Sequence, residues 1–362
     1  MLTIIDKYII KKFLSTYVFM IALLMSISIV FDISQKVKDF IDNKLGIWEV
    51  ITGYYIHFVI LYSNMFSSLI VFLSVIWFTS LMASRTEIVP ILSGGVSFNR
   101  FLRPYFIAAT ILTVYSLFMN HYVVPYSNKK QIEFTSKNTG FVPTKRNTFL
   151  EVQKGVLVYF DQLDIRTFDA QHLWVEFWEQ NDNAEWKLKT SIQARQAIGD
   201  STKNTWQLRN YFIREIKNDR EILRKGVILD TILPFKGIDL GQREEAATAL
   251  ITEELNKYRK KEIEKGSENV IGIDLERYQR SALPFATYIL TLIGVSVSSR
   301  KTRGGIGLNI ALGLSATMIY IFFQRMGQVA AVNSGLHPII AVWLPNIIFG
   351  VIAYLFYKKA PK

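Results

Sequence analysis

The sequence predicts a membrane α-helical protein of six transmembrane helices, with an all-β, jelly-roll-like domain inserted between the third and the fourth. Three observations predict it. Half of the 362 residues are apolar and 14% are aromatic, with a positive mean hydropathy, more than a soluble domain normally carries. Six apolar runs are long enough to cross about 30 Å of hydrocarbon, which takes roughly 20 helical residues. A long segment of alternating, β-branched and aromatic stretches separates the first three runs from the last three. The chain has no cysteine, so no disulfide, thiolate nucleophile or Cys-based metal site can form.

The runs are residues 13–31, 50–83, 104–129 (charge-free up to its last residue), 281–299, 304–324 and 337–357. The second is overlong and is expected to tilt or to rest its ends in the interface. The first lacks a small-residue cleavage site and five spans follow it, so it reads as a span and not as a signal peptide. Orientation follows from the basic residues. With the N-terminus inside, the inner flanks 1–12, 82–103, 300–303 and 358–362 hold twelve Lys and Arg against only Asp6 and Glu87. The short outer loops balance at four basic and four acidic residues, and residues 125–280 hold 26 basic and 24 acidic. Nearly all of the +12 net charge is therefore an inside-positive bias, and nucleic-acid binding loses its main support.

The organisation follows. Residues 1–124 carry the first three helices, 125–241 the β domain, 242–280 a charged helix with a linker, and 281–362 the last three helices. Strands are expected at 148–152, 156–160, 172–178, 186–192, 205–216 and 226–233. Turn signals separate them at Gln153-Lys154-Gly155, Asn181-Asp182-Asn183, Gly199-Asp200 and Asn218-Asp219. Strands at this spacing build a sandwich, a jelly roll or an open barrel. Residues 242–265 read as a charged helix whose apolar face is Ala247, Leu250, Ile251, Leu255 and Tyr258.

Between the second and third runs lies Met82-Ala83-Ser84-Arg85-Thr86-Glu87-Ile88-Val89-Pro90-Ile91-Leu92-Ser93-Gly94-Gly95. Ser84 or Thr86 can cap a short helix there, Glu87 sits in its first turn and Gly94-Gly95 stops it. On these residues alone a passive hairpin connection and a handle for a partner both stand.

A search for chemistry mostly excludes. There is no G-x-x-x-x-G-K-[ST] phosphate loop and no G-x-S-x-G nucleophile elbow. His57, His121, His172 and His337 are scattered without a ligand at i+3 or i+4, so no metal site is expected. Gly304-Gly305-Ile306-Gly307 follows Arg300-Lys301-Thr302-Arg303 and reads as close helix packing beside a basic anchor. The runs hold no carboxylate of the kind an ion-coupled carrier keeps within the membrane, which argues against secondary transport. They hold bulk instead: Phe58, Phe66, Phe72, Trp77, Phe78, Phe106, Phe118, Phe322 and Phe323. These are packing or lipid-facing rings, or they line a cavity for acyl chains. Ser63, Asn64, Ser67 and Ser68 can join helices by hydrogen bonds. Asp32, Lys36 and Lys38 follow the first run, as solvated interfacial charges or as lysines that hold a phosphate at headgroup level.

Taken together, three spans, an outer β domain and three more spans resemble the LptF/LptG (YjgP/YjgQ) permeases of lipopolysaccharide export. Three motifs carry the likeness. They are Ile5-Asp6-Lys7-Tyr8-Ile9, then Arg85-Thr86-Glu87-Ile88-Val89 with Ser93-Gly94, and last Pro338-Ile339-Ile340 with Leu344-Pro345. The start and the end look closer to the LptG branch.

The resemblance implies an inner-membrane permease with both termini cytoplasmic and the β-jelly-roll domain periplasmic. It pairs with a second LptF/LptG-type permease on a dimer of a separate ATPase, LptB. ATP and its magnesium stay with that partner, so this chain binds no cofactor and is a transport subunit without catalytic residues. Lipopolysaccharide enters between spans one and five and passes to LptC/LptA-like periplasmic proteins. By residue, Glu87 matches the coupling-helix glutamate that meets the ATPase and Arg85 a basic or polar position beside it. Thr86, Ile88, Ser93 and Gly94 complete that stretch, and Lys36, Lys38, Phe58, Phe66 and Phe322 are the substrate-side candidates. Two departures stand out: Pro90 falls where a coupling helix would continue, and Asp32 falls where LptG proteins often place a basic residue. A membrane-anchored scaffold or signalling protein, with a ligand-binding β domain, remains the rival from another class.

Overall fold

The computed structural model describes residues 2–138, 144–164, 167–180, 185–200, 203–217, 220–241, 247–264, 270–300 and 305–360. The turns expected at 181–183 and 218–219, the start and last residue of the charged segment 242–265, and residues 266–269 and 301–304 lie outside them. Contacts divide the chain into two units, Met1–Gln131 with Asp274–Lys362, and Ile132–Ile273.

The first unit is helical, and among the described residues six helices of the chain are long and apolar enough to cross a membrane. The first, α1 (Ile4–Asp42), has 39 residues, roughly 58 Å at 1.5 Å per residue. Thr3 and Asp6 start it with a reciprocal capping box. The helix runs about three turns past the apolar stretch, so Asp32, Lys36 and Lys38 stand on continuous helix and not in a loop.

The second run is not one tilted helix. A π-helical turn, Ile51–Tyr55, leads into α2 (Ile56–Met65), and a break at Phe66 (φ −91°, ψ 4°) precedes α3 (Ser67–Ser84). The break sheds the excess length that a straight span would have to tilt away. A short helix, α4 (Ile88–Ser93), turns the corner into α5 (Phe98–Phe118). A second π-helical turn, Met119–Val123, joins α5 to α6 (Val124–Asn138). After the insertion come α8 (Val270–Ser298), α9 (Gly305–Ser334) and α10 (Pro338–Lys359), α7 (Thr252–Glu264) belonging to the second unit.

The core of the helical unit is built on α3. Phe13 and Phe78 lie 5.7 Å apart, and Phe78 stacks on Tyr105 at 5.3 Å, joining α1, α3 and α5. Buried polar pairs peg the same helix on three sides: Tyr17 with Ser67 (3.1 Å), Thr79 with Tyr105 (3.1 Å), and Asn309 Nδ2 donating to Ser80 Oγ (2.9 Å). Asn64 donates to Asn120 at 2.7 Å, tying α2 to the second π turn. Of the four polar residues singled out on this run, Asn64 and Ser67 thus join helices, while the buried Ser63 hydroxyl has no hydrogen-bond partner among the described residues.

The second unit holds one six-stranded antiparallel sheet in which every strand pairs with its sequence neighbours. The strands are β1 (Thr144–Gln153), β2 (Val156–Asp164), β3 (Asp169–Gln180), β4 (Trp186–Gly199), β5 (Thr205–Lys217) and β6 (Arg220–Ile232). Each contains or overlaps one expected strand and extends beyond it. Val158, Phe160, Val175, Ala194 and Leu208 are buried on one face, and the Trp206 indole closes over it, donating to the Phe235 carbonyl at 2.9 Å. Around α7, Ala247, Leu255 and Ile273 form a small cluster with Leu250 and Tyr258 against it.

A crease crosses the whole sheet. Pairing skips one position on every strand, and by register these positions are opposite one another: Asn147, Asp161, His172, Arg195, Asn210 and Val227. Asn147, His172 and Asn210 have φ of 47°, 51° and 50°, a conformation few non-glycine residues adopt. The register is the same on both sides of the crease, yet buried residues there lie three apart where a regular strand would have them two apart, as at Phe160 and Leu163, Ala170 and Leu173, and Ala194 and Ala197. The apolar face thus stays on one side while each strand bends.

Candidate functional site

Two places hold the residues singled out in the sequence. One is the corner between α3 and α5. Arg85 and Thr86 are exposed, and Thr86 takes a left-handed conformation (φ 58°) that reverses the chain. The N-cap of α4 is Glu87, without a side-chain capping bond. Neither Ser84 nor Thr86 caps it: their hydroxyls donate to the Leu81 and Arg85 carbonyls instead. Pro90 is the third residue of α4, in the first turn, where backbone N–H groups have no intrahelical acceptor. It therefore costs no hydrogen bond and does not kink the helix. Gly95, at φ 85°, closes the end by donating to the Leu92 carbonyl at 3.2 Å.

This arrangement sorts the six corner residues. Ile88 is buried in the core cluster with Ile91 and Leu92 partly buried beside it, so it anchors the corner. Arg85, Thr86, Val89, Pro90, Ser93 and Gly94 face outward. Glu87 is half-buried, and the Tyr8 hydroxyl donates to its Oε2 at 3.1 Å, tying the corner to the first turns of α1. Close by, Arg100 donates to both Asp6 oxygens at 2.7 Å. Asp6 precedes the apolar run, and this guanidinium holds its carboxyl well below the usual carboxylate range although burial opposes it. Tyr8 and Asp6, both in the opening motif, thus act on the corner through space, which spacing in the sequence does not reveal.

The other place is the far end of the apolar run of α1. Lys36 lies 3.2 Å from Asp32, one turn back on the same helix, hydrogen-bonds the Tyr54 hydroxyl and sits 4.4 Å from that ring's centroid. Tyr54 and Tyr55 donate to the two Asp32 oxygens at 3.1 and 3.2 Å. Adjacent tyrosines reach one carboxylate because the π turn widens the helix there. Lys36 is therefore held by an internal partner, while Lys38 is exposed. Phe58 is buried in the same cluster, 5.9 Å from Tyr54 and 4.2 Å from Tyr62. Phe66 is partly buried at the helix break, and Phe322 is exposed on α9. The π turn is the feature that sequence reasoning misses, since periodicity over five residues does not separate it from regular helix.

No group of three or more His, Asp and Glu that could hold a metal occurs among the described residues. A family model described as Lipopolysaccharide export system permease LptF/LptG matches residues 7–359. That description covers both branches together. No curated protein matches the chain.

Proposed function

The chain belongs to the LptF/LptG family of lipopolysaccharide export permeases, and on that premise we propose that it is the lipid-handling half of an ATP-driven extractor. ATP and magnesium stay with a separate LptB-like ATPase dimer, and a second permease of the same type completes the pathway. The opening and closing motifs favour the LptG place in that pair. The corner around the short helix α4 is the contact with the ATPase, its outward residues Arg85, Thr86, Ser93 and Gly94 docking and Glu87 registering the motion. Lipid enters between the first and fifth spans, α1 and α9, and the outer β domain hands it to LptC/LptA-like proteins in the periplasm. The exposed apolar edge strand β6, with Val227, Ile228 and Ile232, supports hand-over by strand pairing.

One observation carries this reading. Only 17% of the apolar window of α1 and 22% of that of α9 is buried inside the chain, against 67% for α3 and 61% for α8. On α1 the uncovered side chains include Phe19, Leu23, Ile27, Val30 and Phe31, and on α9 Leu312, Ile319, Phe322, Met326 and Val329. Both sets recur at helical spacing and form a stripe. Such stripes suit a partner permease and acyl chains, and no covalent chemistry is called for.

The test is photo-crosslinking from Phe19 and Phe322 in membranes, which should capture lipopolysaccharide and the second permease; capture of bulk phospholipid alone would defeat the reading. Within it, Lys36→Glu with Lys38→Glu should weaken lipid capture at α1. Asp32→Asn should strengthen it by freeing Lys36 from its ion pair, and unchanged capture in both would remove these lysines from the lipid site.

The peg between Ser80 and Asn309 links α3, which runs into the corner, to the fifth span. Asn309→Leu should keep assembly and basal ATP hydrolysis but lower lipid release per ATP about fivefold, the effect of about 1 kcal/mol of lost coupling. Ser80→Ala with Asn309→Leu should be no worse than either alone. Additive losses would show that the two residues act separately.

A further inference from the structure

We propose that the outward face of the β sheet carries a binding site for an anionic saccharide, built along the crease. The crease row, Asn147, Asp161, His172, Arg195 and Asn210, is polar on five consecutive strands. Parallel to it, and opposite one another by register, run Phe149, Tyr159, Trp174, Gln193 and Phe212. This second row lies on the face away from the apolar core, yet it is aromatic at four of five positions. Phe149 is 63% exposed and Trp174 43%. Rings left this exposed on a solvent face gain less from folding than buried ones, and three left-handed non-glycine residues in one line each cost folding energy. Both features point away from stability and toward a ligand.

The two rows together describe that ligand. A groove of about 500 Å³ opens between them, lined by Tyr159, Asp161, His172, Trp174, Arg195 and Phe212 among others. The Trp174 indole is pinned by its bond to Ser191 Oγ (3.0 Å) and so presents a fixed ring face. Aromatic faces stack on the C–H faces of sugar rings, while amide and carboxylate groups bond their hydroxyls. Asp161 has both oxygens engaged, by Tyr159 and by His172 at 2.8 Å each. Arg195 is exposed and has no hydrogen-bond or ion-pair partner among the described residues. The groove therefore offers one uncommitted cation, suited to a carboxylate or phosphate on the sugar. From β1 to β5 the aromatic row spans four strand spacings, roughly 19 Å, so an oligosaccharide fits better than a single ring. The inference rests on the proposed export function: the occupant is the saccharide part of the exported lipid, held outside while its acyl chains stay on apolar surface.

The test is titration calorimetry on the whole protein in detergent micelles. The probe is the acidic oligosaccharide released from lipopolysaccharide by mild acid. It should bind saturably, and at least tenfold more weakly to Arg195→Gln and to Trp174→Ala, both outward-facing substitutions that leave the core untouched. A neutral glucan oligomer and inorganic phosphate should each bind at least tenfold more weakly than the acidic probe. Equal binding to both variants, or phosphate binding as tightly as the oligosaccharide, would overturn the site. Polygalacturonate binding as tightly as the probe would overturn the lipid as its source. These outcomes are independent of crosslinking at α1 and α9, so failure of the export reading and failure of this site are told apart.

Discussion

Replacing Glu87 by lysine is expected to strip the ATPase from the permease and abolish lipid export, with the six spans still folded. The carboxylate is half-buried at the head of α4 and accepts one hydrogen bond, from Tyr8. Reversal places a cation beside Arg85 and near Lys12, whose ammonium lies 5.7 Å from the Tyr8 ring centroid. The corner itself is held by Ile88 in the core and by the Gly95 closure, which is a bond between backbone groups. Tyr8→Phe provides the contrast. It removes the hydrogen bond, worth about 1 kcal/mol, but keeps the charge, and should retain most ATPase in co-purification. Coupled hydrolysis that survives Glu87→Lys would show that this carboxylate is not the contact. Equal damage from Tyr8→Phe would show that it acts by positioning α1.

The second large effect is expected at Gly327, and it is one of packing. A Cβ there would lie 2.3 Å from the Ala341 carbonyl oxygen, where α9 and α10 meet backbone to backbone. Ala331, one turn on, is fully buried, so the two make a small-residue seam. Gly327→Ala forces the helices apart and should destabilise by about 1–3 kcal/mol, despite a gain in helix propensity of up to about 1 kcal/mol. Gly313 in the same helix is the control. Its added Cβ would meet Ile76 Cδ1, the far end of a side chain and not backbone. Gly313→Ala should stay within about 1 kcal/mol of the parent in a thermal melt in detergent. A melt in which both variants fall equally would remove the backbone clash as the cause.

How much of this was legible in sequence depends on the range over which each signal is written. A span is written in one dimension, because hydrocarbon thickness sets its length, and the six helices and their inserted β segment can be read along the chain. So can the i, i+4 spacing of Asp32 and Lys36. The overlong second run was not resolved, because α2 and α3 are equally apolar and hydropathy does not register the break at Phe66. Pro90 looked disruptive only because the first residue of α4 was unknown; as third residue it occupies a position without a hydrogen bond to lose.

The saccharide groove had one visible trace. In β2 the buried residues Phe160 and Leu163 break strict alternation, and the expected strand stopped at that slip. The line of Asn147, His172 and Asn210 needs the strand order and register, since residues far apart in sequence become one row only when four ladders align. The chain by itself therefore determined which helices are long and apolar enough to cross a membrane, that six strands follow one another in the inserted segment, and that no nucleotide loop is present. Tertiary structure decided that Tyr54 and Tyr55 close on Asp32, that Tyr8 reaches Glu87, and which polar residues share a crease, because each of these is a meeting of residues across distances in the chain that only packing closes.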